Sequence, residues 1–573
     1  MIDAERILQE TYPDFKFGKD NKLVVQALKK LIHEDDFNDV IRKNQHLRGF
    51  AFLDKLLHYF KFNYQVSNDC YNNIPSEGRL LIVANHPIGT LDGLALVKLI
   101  RSVRPDVRIV ANRVLSHMEP LQSIFLPVDV LSDKKKLKDV YKVMLDALEN
   151  EEAIIFFPAG EVSRITPKGI RDGAWQSGFI KLARRAQCPI LPIFIKAKNS
   201  ALFYSASTLY KPLGTMLLVK EMFNKKGQEI KFMVGAPVPY HVIADSEESN
   251  KQLSQRFRKH VQNLGKKNKP ALFETVATVV HPSDTKAVKK ALYQSRLLGE
   301  TRDGKKIFLY QFQDDCPVMR EIARLRELTF RTVEEGTGLA LDLDKFDIYY
   351  SHIVLWDDND LEIVGAYRVG DGPAIMASHG VDGFYTQTLF DLRSEFEAYL
   401  PRSIELGRSF VQPRYWGQHS LDYLWYGIGA YLRERPDIKY LFGPVSISNA
   451  YPQAAKELII GFYQQQFASD LQNTKARTPF VISQQCKAFA ATEFSADYST
   501  SFKILNSELK KLGVKVPTLY KQYVELCVDK GCHFVAFNID PDFNNCIDGL
   551  IMVEVDKIAP KKRQRYIEKS LAG

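Results

Sequence analysis

"RLLIVANHPIGTLDGLALVKLIRSV", residues 79–103, decides how its surroundings are built. Leu80 to Ala84 form an apolar run of strand length, and Leu91 to Ile100 carry apolar residues at helical spacing, so the stretch reads as a buried strand turning into a helix. Between them stand Asn85, His86, Gly89 and Asp92. Open α/β sheets hold their ligands at this end of a strand. A carboxylate beside an imidazole fixes its tautomer and favours its protonated form, which suits a histidine that takes a proton from a hydroxyl or amine. The same residues also admit a structural reading, a satisfied histidine with Asp92 capping the helix.

Outward from this stretch, "VRIVAN" (107–112), "AIIFFPAG" (153–160), "PILPIFIK" (189–196) and "EIKFMVGAP" (229–237) alternate with helix-length amphipathic segments. Short apolar runs separated by helices predict an α/β unit over residues 78–240, with a largely buried sheet. "AFLDKLLHYFKFNYQV" (51–66) has helical spacing and fits either core packing or a membrane-facing surface. A second motif, "IIFFPAGEVSR" (154–164), ends another apolar strand in a polar, glycine-bearing turn. Two such strand ends predict a shared site, where Arg164, with Lys168 and Arg171 nearby, offers forked hydrogen bonds to a carboxylate or phosphate; a plain surface turn is the alternative.

Beyond about residue 295 the pattern changes. "KIFLYQFQ" (306–313) reads as a strand, "CPVMREIARLRELTFRTV" (316–333) as a helix, and "YYSHIVLWDDNDLEIVGAYRV" (349–369) as a hairpin turning at Asp357–Asp360. "RSIELGRSFV", "HSLDYLWYGIGAYLRER" and "KYLFGPVSI" then give strand, helix and strand, which predicts an α+β domain with a mixed sheet. The expected order is a helical segment over 1–75, an α/β domain over 76–265, a basic linker over 266–295 and an α+β domain over 296–573.

The net charge of +10 is uneven, +14 in residues 1–300 and −4 in the remainder, and residues 251–290 hold ten basic residues against two acidic. Such an excess suits an anionic partner or a solvated helix and linker. Nucleic acid is not expected, because charge alone supports it and no recognition module is present. Seven scattered cysteines without metal-ligand spacing predict a reducing compartment and no metal. The polar start "MIDAERILQETYPDFKF" does not read as a signal peptide, and no long apolar run reads as a membrane span. A cytoplasmic protein, attached peripherally to the inner face of the cytoplasmic membrane, is the expectation.

"NHPIGTLDG" (85–93), "FFPAGEVSR" (156–164) and "CPILPIFIK" (188–196) resemble, in order, blocks of the glycerolipid acyltransferases related to lysophosphatidic acid acyltransferase, in their hemolysin-like branch. The resemblance implies acyl transfer from a thioester of acyl carrier protein, on its 4'-phosphopantetheine, or of coenzyme A, to a hydroxyl, with no permanently bound cofactor. His86 would be the general base and Asp92 its orienting partner. Asn85, Phe157, Pro158, Gly160, Glu161 and Arg164 would contact substrate. Two departures stand out: five residues rather than four separate the histidine and aspartate, and Phe-Pro-Glu-Gly is replaced by Phe157-Pro158-Ala159-Gly160.

In the second half, "RLRELTF" (324–330), "LDLDKFD" (341–347), "ELGRSFV" (405–411) and "YLFGPVSIS" (440–448) resemble the acyl-homoserine-lactone synthases and, more closely, the ornithine N-acyltransferases, whose fold is GNAT-like. Glu405 is a candidate base for an attacking amine. Asp344 and Asp347 would bind the ammonium of an amino acid, and Arg326, Arg368 and Arg408, with Phe330 on the face of Arg326, would hold its carboxylate or organise the acidic cluster. A structural Glu405–Arg408 ion pair across the strand is the alternative.

The order of the halves is similar to the bifunctional ornithine lipid synthases. This implies N-acylation of ornithine or another amino acid with a 3-hydroxyacyl chain, then O-acylation of the new hydroxyl. Acyl carrier protein, the amino acid and a membrane surface met by the basic half are the implied partners. The rivals are an O-acyltransferase with a non-catalytic second domain and a membrane-active hemolysin-like protein.

Overall fold

The computed structural model describes residues 26, 29, 33–112, 118–128, 134–167, 169–209, 211–393, 395–471, 473–495, 497–528 and 530–568, so Lys168 lies outside the described residues. The chain divides into two compact units, Met1–His281 and Pro282–Gly573.

The first unit is built on β2 (Leu80–Ala84), whose residues are all buried; here β1 denotes Asn63–Gln65. Leu80, Ile82 and Ala84 pack into one core with Phe52 and Leu94, while Leu81 and Val83 pack into another with Phe179 and Ile180. A strand covered on both faces has no polar side to show, which is why its sequence is uninterrupted. β3 (Val107–Asn112), β4 (Phe125–Val128), β5 (Ala153–Phe156) and β8 (Ile190–Lys196) continue the parallel set around β2. β9 (Glu229–Val234) lies antiparallel to β8, and β1 pairs with β9 at the edge. The order is β1-β9-β8-β2-β5-β3-β4. β6 (Arg164–Thr166) and β7 (Gly169–Arg171) form a separate hairpin.

The helix Gly49–Tyr59 buries Phe52, Leu53, Leu56 and Leu57, so that segment packs into the core. Among the described residues of the segment expected to be helical over 1–75 stand the helices Glu34–Lys43, Gly49–Tyr59 and Asn68–Asn72, but also β1, which joins the sheet and whose three residues are too few to show a strand period. The stretch 266–295 likewise contains a helix, Thr285–Leu292, with Val288 and Leu292 buried, so it is not a linker throughout.

The second unit is an eight-stranded sheet of β10 (Arg296–Glu300), β11 (Lys306–Gln311), β12 (Ser351–Asp357), β13 (Glu362–Asp371), β14 (Ser403–Val411), β15 (Tyr440–Ile447), β16 (Cys532–Asp540) and β17 (Cys546–Glu554), in the order β10-β11-β12-β13-β14-β15-β17-β16. Neighbours are antiparallel except β14 and β15. Helix Pro317–Thr332 packs with Val354 and Trp356 on one face, and helix Ser420–Arg433 packs with Ile353 and Leu355 on the other.

β14 pairs with β15 only over Ser403–Glu405, although it runs on to Val411. The strands part at Gly443, where a Cβ would stand 2.0 Å from the Leu406 carbonyl oxygen. Beyond this fork β15 continues on β17 alone. A wedge therefore opens inside the sheet, beside Gly407 and Arg408.

Candidate active sites

In the first unit, β2 delivers His86 and the helix Thr90–Arg101 delivers Asp92. His86 Nδ1 lies 2.9 Å from Asp92 Oδ1. The other oxygen, Oδ2, accepts the backbone N–H groups of Ile88 (2.8 Å) and Gly89 (3.3 Å). Gly89, at φ +98°, turns the chain so that the pair closes despite the additional residue between them. One buried carboxylate thus caps the helix and lies against the histidine ring, so both contacts expected of Asp92 fall on a single side chain. With Nδ1 on the carboxylate, Nε2 is the nitrogen left to exchange a proton. Burial opposes protonation of His86, but the Asp92 carboxylate, with Asp172 behind it, outweighs this and raises its pKa above the ordinary 6.5.

The second motif reaches the same place. The Phe157 ring stacks on His86 with centroids 4.1 Å apart. Ser163 N–H donates to the His86 carbonyl (2.7 Å), and the Ser163 hydroxyl donates to Asp172 Oδ1 (2.5 Å), which also accepts the His86 N–H (3.3 Å). Burial pushes the Asp172 carboxyl up, against the hydrogen bonds of Ser163 and Trp175. Pro158 offers its carbonyl to Gln176 N–H, and Gly160, at φ +68°, closes the turn onto Phe157. The Arg164 guanidinium lies 5.2 Å from the centre of the buried Phe203 ring and 3.8 Å from Glu161. Its Nε and Nη1 are buried without a hydrogen-bond partner among the described residues.

Asn85 is a correction. Its side-chain amide donates to the Ile195 carbonyl (3.0 Å) and accepts the Ile195 N–H (2.7 Å), so both ends clamp β2 to β8 instead of facing a substrate.

In the second unit the predicted charged residues do converge. Asp347 Oδ1 accepts from Arg326 (2.8 Å) and Arg368 (3.3 Å); Asp344 accepts from Arg368 (2.7 Å) and Arg408 (3.3 Å). Asp344 and Asp347 also cap the turn Lys345–Ile348 reciprocally. Burial would raise the Asp347 pKa, but Arg326 and Arg368 hold it well below the ordinary carboxylate range. The expectation that these two aspartates bind an ammonium is therefore corrected: three arginines already neutralise them, and the arginines organise this cluster. Arg408, at φ +48° in a bulged part of β14, swings its side chain onto the Asp342 carboxylate (3.2 Å) and over the rings of Tyr385 and Phe543. Phe330 packs against the same Phe543.

Glu405 does not pair with Arg408, which removes the cross-strand ion-pair reading. Its carboxylate accepts the Thr386 N–H (2.7 Å), the Thr386 hydroxyl (2.5 Å), the Tyr385 N–H (3.2 Å) and the Tyr350 hydroxyl. Burial raises its pKa even against those donors. The Tyr385 hydroxyl reaches Asp540 (3.4 Å). Beside it, burial and the charge of Asp540 push Asp548 up to about 7. Sequence reasoning missed Asp342, Asp172, Tyr350, Thr386, Tyr385 and Asp548. Only Asp342 carried a signal, as the first acid of "LDLDKFD".

The two units define an acyltransferase with an N-terminal acyltransferase domain and a C-terminal GNAT domain: a family model described as acyltransferase matches residues 6–267, and one described as acetyltransferase (GNAT) domain matches 325–426. Glycine N(alpha)-acyltransferase of Bacteroides thetaiotaomicron is 30% identical over 303 residues, 51% of this chain and 89% of that protein. The chain belongs to the family that includes this enzyme. Lyso-glycine lipid O-acyltransferase of the same organism is 28% identical over 255 residues, 43% of this chain and 92% of that protein. L-ornithine N(alpha)-acyltransferase of Brucella abortus is 32% identical over 151 residues, 23% of this chain and 51% of that protein.

Proposed function

We propose that the chain makes a two-chain aminolipid, its GNAT unit acylating the α-amine of an amino acid with a 3-hydroxyacyl chain and its N-terminal unit esterifying the new hydroxyl. The observation that carries this is the His86–Asp92 pair in one unit together with the opened β14–β15 wedge in the other. The relatives support the same division, since their names assign N-acylation and O-acylation to two separate proteins.

In the esterification, His86 Nε2 takes the proton of the acceptor hydroxyl as its oxygen attacks the thioester carbonyl. A C–O bond forms, the C–S bond breaks, and the imidazolium returns the proton to the leaving thiolate. Asp92 keeps the ring oriented and stabilises its charged form. Arg164, with guanidinium nitrogens to spare, suits the carboxylate of the single-chain lipid. In the N-acylation, the donor lies along the free edge of β14, where unpaired backbone groups meet the amides of a pantetheine arm; acyl carrier protein is the donor we favour over coenzyme A. As the amine nitrogen attacks the thioester carbonyl, a C–N bond forms and the C–S bond breaks; Glu405, at the fork, accepts the proton of the attacking amine and the thiolate leaves to be protonated as the free thiol.

The resemblance to the ornithine N-acyltransferases favours ornithine as the amino acid. A second reading, glycine, is favoured by the fuller likeness to the glycine enzymes and by Asp344 and Asp347 being occupied, which leaves neither for a side-chain ammonium. Expression in a host without aminolipids, followed by mass spectrometry of total lipid, tests both. A new diacyl aminolipid is the expected result and its mass gives the headgroup; unchanged host lipids would overturn the proposal.

A further inference from the structure

The hairpin β6–β7 lends only its first residue, Arg164, to the chemistry just described; the rest of it has no part there, yet it grows directly from the His86 site. Strands of three residues are too short to hold themselves together. This pair is rooted instead by Ser163 just before β6 and Asp172 just after β7, which bond to each other and to the His86 main chain. Its far end is closed by the Thr166 hydroxyl on the Gly169 carbonyl, and a Cβ at Gly169 would meet nothing within 4 Å. The hairpin therefore projects.

What it presents is apolar. Ile165 and Ile170 are direct cross-strand partners and so share one face, yet they are 55% and 39% exposed. The helix Ala201–Leu209 lies beside the hairpin through Phe203 under the Arg164 guanidinium, and its Leu202 is 57% exposed. The flanking charges are positive: Arg171 follows Ile170, and exposed Lys198 precedes the helix. Glu161, the acid of the motif that reaches the surface, faces Arg164, and Asp172 is buried at the root.

We propose that the β6–β7 hairpin, with Leu202 beside it, docks the N-terminal unit on an anionic lipid surface. Projecting isoleucines flanked by cations match interfacial insertion between charged headgroups. Three exposed apolar side chains make a small patch beside the roughly 800 Å² that each side of a stable protein pair buries. Because the hairpin is rooted on the His86 main chain, seating it sets the height of the imidazole above the headgroups. The inference rests on the reading that this unit esterifies a membrane-resident single-chain lipid.

The test is flotation of the full chain with phosphatidylcholine vesicles, with and without phosphatidylglycerol, for the wild type, Ile165→Ser/Ile170→Ser and Leu202→Ser. The wild type is expected to prefer the anionic vesicles, the double variant to bind them about tenfold more weakly, and Leu202→Ser to fall between. Esterification of a short-chain, water-soluble acceptor is expected to be unchanged in both variants. Equal vesicle binding by the wild type and the double variant overturns the proposal, as does a double variant that loses acyl carrier protein while keeping vesicles. If binding weakens as expected but even the wild type esterifies nothing, the docking stands and the function reading fails; intact esterification with unaltered binding is the reverse.

Discussion

Asp92 holds His86 Nδ1 at 2.9 Å with one carboxylate oxygen while its other oxygen receives the N–H groups that open the following helix. Asp92→Asn keeps the shape and removes the charge. Under the proposed function the neutral imidazole is the base, so esterification should rise with pH through the His86 pKa, which the carboxylate raises. In the variant the acid limb moves to lower pH, and the rate falls by roughly 10²- to 10⁴-fold. A pH–rate profile with a synthetic single-chain acceptor reads both effects. The stability that His86 contributes is fully present below 6.5, its unfolded value, and is lost as pH rises through its raised folded value. Denaturation midpoints compared above and below that window check the sign.

Glu405→Gln puts an amide among four donors, so one N–H must face another donor. We expect N-acylation to fall by about 10²- to 10⁴-fold and stability to fall by about 1–3 kcal/mol. Chemically made single-chain lipid fed to this variant should restore the diacyl product. Failure of that rescue would show that Glu405 serves the ester step too.

Asp347→Asn leaves Arg326 and Arg368 without their shared charge in a buried site. The expected loss is about 3–5 kcal/mol in urea denaturation. The Asp347 pKa is lowered, so the stability it contributes is present above 3.8, its unfolded value, and is lost as pH falls through the folded one. Wild type and variant should therefore converge in strong acid.

Asn85→Ala should behave as the loss of a clamp. Two buried main-chain groups of Ile195 lose their partners, for about 1–3 kcal/mol. Thermal denaturation should report the loss while KM for the acceptor stays unaltered; a raised KM would return Asn85 to the substrate.

The strands around both sites were legible because buried β2, β5 and β8 leave unbroken apolar runs, and β12–β13 turn through four acidic or amide residues. β1 and the arm β10 were not, being short or partly exposed. His86 with Asp92 was legible because the two lie within one turn of chain. The environment of Glu405 was not: Tyr350, Tyr385 and Thr386 are brought to it by tertiary packing, which no local spacing records. The roles of Asp344 and Asp347 were misread for a related reason. Acids in a run look available, and only the fold shows that Arg326, Arg368 and Arg408 reach them first.

The fork at Gly443 also bears on how fast the sheet exchanges its amide hydrogens. Residues 407–411 of β14 have no register partner on β15, so their amides that point away from β13 should exchange their hydrogens quickly although they belong to the middle of an eight-stranded sheet. A donor lying in the wedge would slow that exchange by supplying the missing edge. On the proposed function the donor would then serve, during turnover, as a temporary ninth strand.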